Sequence, residues 1–118
     1  MTRAELFQMV RVPGDTELDL AIDWVTRTAV LLSGSQRLST IVPAEIGPLC
    51  CALQQAEWEL EGAAGAQTFA PVTCDVQGGV IFYAGATFTA VQSQALRRLL
   101  SLAETILETG VGSLADQA

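Results

Sequence analysis

Histidine, lysine and asparagine are all missing from this chain, and each absence removes a class of chemistry. Without lysine there is no Schiff-base amine and no phosphate-loop ammonium. Without histidine there is no imidazole base and no imidazole metal ligand, and without asparagine there is no N-glycosylation site. The joint loss of lysine and asparagine is also what a GC-rich coding bias produces, so the absence itself carries no functional message. Positive charge is scarce in any case. Six arginines face thirteen acidic residues, for a net charge of −7. They are scattered except for the pair Arg97-Arg98, so nothing forms the basic stripe that a phosphate backbone requires, and nucleic acid is excluded as an expected partner.

Long hydrophobic runs are also lacking. Mean hydropathy is +0.38, yet no window approaches the ~18 to 20 uncharged apolar residues that spanning a bilayer requires. Arg3, Glu5, Arg11 and Asp15 break up the first residues, which leaves no apolar block of signal-peptide type. The expectation is a soluble, bacterial-type domain in the cytoplasm with no membrane partner. The three cysteines, Cys50, Cys51 and Cys74, are an odd number and fit free thiols in a reducing compartment. Cys50 and Cys51 are adjacent in a helical pattern, where side chains diverge by about 100°, so they are not expected to bridge.

What the chain does have is apolar material. Half of its 118 residues are hydrophobic and only 16% are charged. That is ample for one domain, expected over 1–118 with a frayed tail after Gly110, and it leaves little charge to cover the outside. An excess of apolar surface favours a partner.

Local patterns give an α+β reading. Thr2-Arg3-Ala4-Glu5 has capping-box form, and Leu6, Met9 and Val10 supply a stripe for a first helix that ends before Pro13-Gly14. Asp15, Thr16, Glu17 and Asp19 then mark the start of a second helix, with Leu18, Ala21, Ile22, Val25, Ala29 and Leu32 on one face and Gly34 closing it. A competing pattern exists, because Leu18, Leu20, Ile22 and Trp24 alternate strictly and residues 26–32 are rich in β-branched side chains, so 17–33 also reads as a β-hairpin. The helix is preferred on its start and stop signals.

Pro43, Ile46, Leu49, Leu53, Ala56 and Leu60 define a third helix, ended by the glycines at 62 and 65. Val72, Cys74 and Val76 alternate with Thr73 and Asp75, Gly78-Gly79 turns, and Val80 to Phe88 runs back as the second strand of a central antiparallel hairpin. Thr89 caps a long C-terminal helix carrying Leu96, Leu99, Leu100, Ala103, Ile106 and Leu107. The expected architecture is N-terminal helices, a hairpin and a C-terminal helix packed across it. With an offset of 47, residues 40–61 resemble 87–108, and if 17–33 were a hairpin the chain would read as two ββα units, a minority alternative.

Candidate sites follow from exposure and charge. Asp75 is the only charged residue between Gly62 and Leu96. A Gly78-Gly79 turn pairs Val76 with Ile81 and Cys74 with Tyr83 on one face, and Asp75 with Phe82 and Gln77 with Val80 on the other, so both faces are partly apolar. The third helix leaves Trp58, Cys51 and Gln55 off its core stripe, and a Trp in such a place is a frequent interface anchor. Trp58, Cys51, Gln55, Val80, Phe82, Tyr83 and Phe88 are therefore the candidate binding residues.

Asp15, Asp19 and Asp23 would align on a helix, one turn from Arg27. They are candidate ligands for a divalent cation, although the pattern lacks the glycine turn and terminal glutamate of a calcium loop, so a solvated acidic face is the ordinary reading. Glu57, Glu59 and Glu61 receive that reading too, as does the pair Arg97-Arg98. Asp75 is the candidate acid-base group of a His-free enzyme, against its ordinary role beside a turn. No Gly-x-Ser-x-Gly, Gly-x-Gly-x-x-Gly, phosphate loop or Cys-x-x-Cys occurs, and no cofactor is expected. The expected function is binding, by an acidic homo-oligomer that is most simply a dimer. It would hold another protein or, alternatively, a small apolar ligand between Phe82, Tyr83, Phe88 and Trp58.

Overall fold

The computed structural model describes residues 7–13, 17–34, 36–62, 74–110, 112 and 114. Strand β1 (Phe7–Arg11), β2 (Leu18–Asp23), β3 (Thr28–Ser33) and β4 (Gln36–Ile41) form a four-stranded antiparallel meander in sequence order. Helix α1 (Pro43–Leu60) follows, then β5 (Asp75–Gln77), β6 (Val80–Tyr83) and β7 (Ala86–Phe88) as a second meander, and finally helix α2 (Ala90–Thr109). The α+β class holds, as do the hairpin and the C-terminal helix.

The two N-terminal helices do not. Residues 7–11 are strand, residues 1–6 lie outside the described residues, and 18–33 are two paired strands. The reason lies in the punctuation, because Asp and Gly end a helix or turn a hairpin equally well. Asp23 uses its carboxylate in a turn, where Oδ1 accepts from the Val25 and Thr26 N–H groups, while Gly34 takes a left-handed φ of 61° after β3. Alternation then decides. Leu18, Leu20 and Ile22 point into the core and pair with Ser33, Leu31 and Ala29. A helix over 17–33 would bury one stripe, whereas β2 is buried on both faces, with Asp19 and Ala21 on the other side. Nor does it read as two ββα units, since among the described residues four strands precede α1 and three lie between α1 and α2.

The second hairpin has the register expected of its turn: Asp75 pairs with Phe82, Val76 with Ile81 and Gln77 with Val80. Gly78 and Gly79 have φ of 60° and 81°, as a two-residue type I′ turn demands. The return strand is shorter than its sequence suggested. Ala84 and Gly85 make a second such turn with φ of 52° and 84°, which splits residues 80–88 into β6 and β7.

Helix α2 organises the packing. It lies against β2 and β3 of the first sheet and against β6 and β7 of the second, while α1 packs along α2 and touches β5 and β6. Thr89 accepts from the Gln92 N–H, the Gln92 side chain accepts from the Thr89 N–H, and Gly110 closes the helix at φ 75°. One core results. Leu20, Ile22, Leu31 and Ile41 from the first sheet meet Ile46, Leu49 and Leu53 of α1, Ile81 and Phe88 of the second sheet, and Leu96, Leu100 and Ile106 of α2. Leu114, beyond α2, joins it. No described helix is long and apolar enough to cross a membrane.

Candidate functional site

Helical geometry gives α1 three sides. Ile46, Leu49, Ala52, Leu53 and Ala56 face inward. Ala44, Cys51 and Trp58 face outward and are exposed. Between these sides, Glu57 turns toward α2. It is only 3% exposed, and its carboxylate is fully engaged. Ser93 Oγ donates to Oε2 at 2.7 Å, Arg97 Nε donates to the same oxygen at 2.7 Å, and Arg97 Nη2 donates to Oε1 at 2.7 Å. The hydrogen bonds and the charge of the Glu57 carboxylate hold the Arg97 guanidinium above its usual range, against the opposing effect of burial. Such a fork is a strong, oriented ion pair. Its place in the molecule makes it a pin between the two helices, and it contradicts the reading of Glu57 and Arg97 as solvated side chains. Leu53, Glu57 and Leu60 share helical spacing, which places Glu57 beside the core stripe, but its partners Ser93 and Arg97 lie 36 and 40 residues further along the chain.

A second polar bond joins the two sheets. Tyr83 packs half-buried on the core side of β6, and its hydroxyl lies 2.9 Å from Ser39 Oγ of β4. Burial pushes the phenol up from its ordinary value, and the bond to Ser39 offsets this only in part.

The candidate binding residues separate into two groups. Trp58 is 46% and Phe82 39% exposed, and Cys51 is exposed with them. Gln55 and Val80 are half-buried, Val80 on the same face of its sheet as Phe82 and Asp75. Phe88, by contrast, is 0% exposed in the core. It shares the inner face with Ile81 and Tyr83, so Phe82 and Phe88 lie on opposite sides of the sheet. Phe82, Tyr83, Phe88 and Trp58 therefore do not line one apolar pocket.

Asp75 is exposed across from Phe82. With Glu59, Cys74, Val76, Gln77 and Phe82 it borders an open cleft of about 530 Å³. Asp75 thus stands at an open cleft and not in an apolar enclosure. Burial and the neighbouring Asp75 push the Cys74 thiol up to about 11, and burial first of all pushes Cys50 to about 11. Both are protonated at neutral pH and are poor nucleophiles. A shallower hollow of about 440 Å³ lies over Cys50, Arg97, Arg98, Ser101, Leu102 and Thr105.

The three aspartates do not share a helix face. Asp15 lies outside the described residues. Asp19 and Asp23 stand four residues apart on β2, about 13 Å along a strand. Asp19 is 7% exposed and accepts from Arg11 Nε at 2.7 Å, and Asp23 holds its turn. Among the described residues, no group of three or more Cys, Asp or Glu is placed to hold a metal ion.

No family model, curated protein or solved structure matches the chain.

Proposed function

We propose that this is a non-catalytic binding or adaptor protein that acts as a small acidic homodimer in the cytoplasm, through apolar surface on the outer sides of α1 and the second sheet. One observation carries the reading: two large aromatic side chains, Trp58 and Phe82, remain substantially exposed, Phe82 within a stretch from Gly62 to Leu96 whose one charged residue is Asp75. Aromatic groups of this kind are the usual anchors of protein interfaces, and depletion of charge marks interface centres. The three free thiols fit a reducing compartment. Catalysis finds less support, because the cleft carboxylates are exposed and the two half-buried thiols are held protonated.

Sedimentation equilibrium over a range of concentrations tests the proposal. A dimer that Trp58→Glu/Phe82→Glu converts into a folded monomer is the expected result. A particle that stays monomeric at every concentration and binds no apolar dye would end it.

A further inference from the structure

We infer that a second copy of this chain docks antiparallel on the outward side of α1, with the twofold axis at Cys51 and each Trp58 seated over Ala44 and Gly47 of the partner subunit. The inference rests on the self-association proposed above and adds its geometry.

Three observations meet on this side of the helix. The first is symmetry of spacing. Trp58 lies seven residues after Cys51 and Ala44 seven before it, with Gln55 and Gly47 four after and four before. Seven residues are about two helical turns, so all these positions return to the same side. When two such helices run antiparallel about Cys51, the largest outward side chain of one meets the smallest positions of the other. Gly47 is an open notch, where an added Cβ would meet nothing within 4 Å. A knob and a hole at equal distances from one point are what a self-complementary interface requires.

The second observation is a backbone acceptor. Pro48 lies inside α1 and has no N–H to return to the Ala44 carbonyl four residues earlier. Ala44 is itself exposed on the outward side. Trp58 brings an indole N–H at the tip of an apolar body, and such groups seek an acceptor when an interface covers them.

The third is charge. Each copy carries a net −7, so two copies repel across most of their surfaces. The outward positions Ala44, Gly47, Cys51, Gln54 and Trp58 are all uncharged, and they give the backbones a neutral line of approach between the flanking carboxylates of Glu45 and Glu59. A partner of opposite charge is not what an uncharged strip selects. The strip is about 21 Å long, at the small end for a stable dimer, so micromolar association is expected, strengthened rather than weakened as salt screens the repulsion.

The test combines sedimentation equilibrium with a short bismaleimide crosslinker and peptide mapping on the full chain. Cys51 is the exposed thiol, while Cys50 and Cys74 are half-buried. Crosslinking between the Cys51 residues of two copies is the expected product. Gly47→Leu fills the notch with a good helix former, so it should weaken the dimer at least tenfold without lowering the melting temperature of the monomer. Trp58→Ala should weaken it similarly. A dimer that tolerates Gly47→Leu, or one whose crosslinks avoid Cys51, would overturn this geometry and leave self-association standing. A monomer throughout would remove both.

Discussion

The two sheets of this molecule are built from similar alternating segments and end in different states. In the first, β2 is buried over five consecutive residues, Leu18 to Ile22, on both of its faces. In the second, β6 buries Ile81 alone and leaves Phe82 in solvent. The first sheet also manages its charges and edge. Arg11 answers Asp19, Asp23 holds its turn, and the outer strand β4 carries a register shift opposite Leu31/Leu32 together with Arg37, a bulge and a charge of the kind that discourage further pairing. The second sheet has one charge, Asp75, and three- and four-residue strands. The lesson is that burial is divided unevenly between them. One sheet sends Leu18, Leu20, Ile22, Ala29, Leu31 and Ile41 into the core, while the other leaves Phe82 exposed on a mixed outer face beside Asp75 and Thr87.

Breaking the pin between the helices tests that division most severely. Arg97→Ala leaves Glu57 buried without its counter-ion, and a loss of about 3 to 5 kcal/mol is expected by urea unfolding. Glu57→Leu/Arg97→Leu should recover most of it, because no charge is then stranded. A single cooperative transition in both proteins would show that the two halves melt together.

The next contrast is direct. Leu20→Ala in β2 should cost about 3 kcal/mol as a cavity in a filled core, whereas Phe82→Ala in β6 should cost well under half of that. Equal losses would mean that Phe82 is structural and would weaken the case for its face as a docking surface.

Alkaline pH acts chiefly on the half that includes α1 and the second sheet. Cys50 and Cys74 ordinarily titrate near 9.0 and are raised to about 11 in the fold. Between these values the unfolded chain has lost thiol protons that the native state keeps, so stability is full below pH 9 and falls as pH climbs toward 11. Urea midpoints at pH 8 and pH 10 should show the drop, and Cys50→Ser/Cys74→Ser should flatten it.

The smallest effect is expected at the bond joining the sheets. Tyr83→Phe and Ser39→Ala should each cost about 1 kcal/mol and be non-additive in a double-mutant cycle. Strict additivity would mean that the 2.9 Å contact contributes nothing to holding the sheets together.

Much of the fold was legible without coordinates. Pro43 opening α1, Thr89 and Gly110 bounding α2, and the Gly78-Gly79 turn with its register are local matters, settled by backbone sterics and by hydrogen bonds within a few residues. The outward placement of Trp58 and Cys51 follows from helical period alone. The Ala84-Gly85 turn was missed because alanine at positive φ leaves no mark in a sequence.

What tertiary structure alone decided is the fate of residues 17–33 and of Glu57. The first stretch carries helix punctuation and strand alternation at once, and only the presence of β1 and β4 on either side, with α2 beneath, makes burying both faces of β2 worthwhile. Glu57 has the spacing of a core residue and the chemistry of a surface one. Its charge can enter the interior only because a second helix, 40 residues later along the chain, delivers a guanidinium and a hydroxyl to the same point. Local propensity sees neither partner, since both lie far away in sequence and near only after folding.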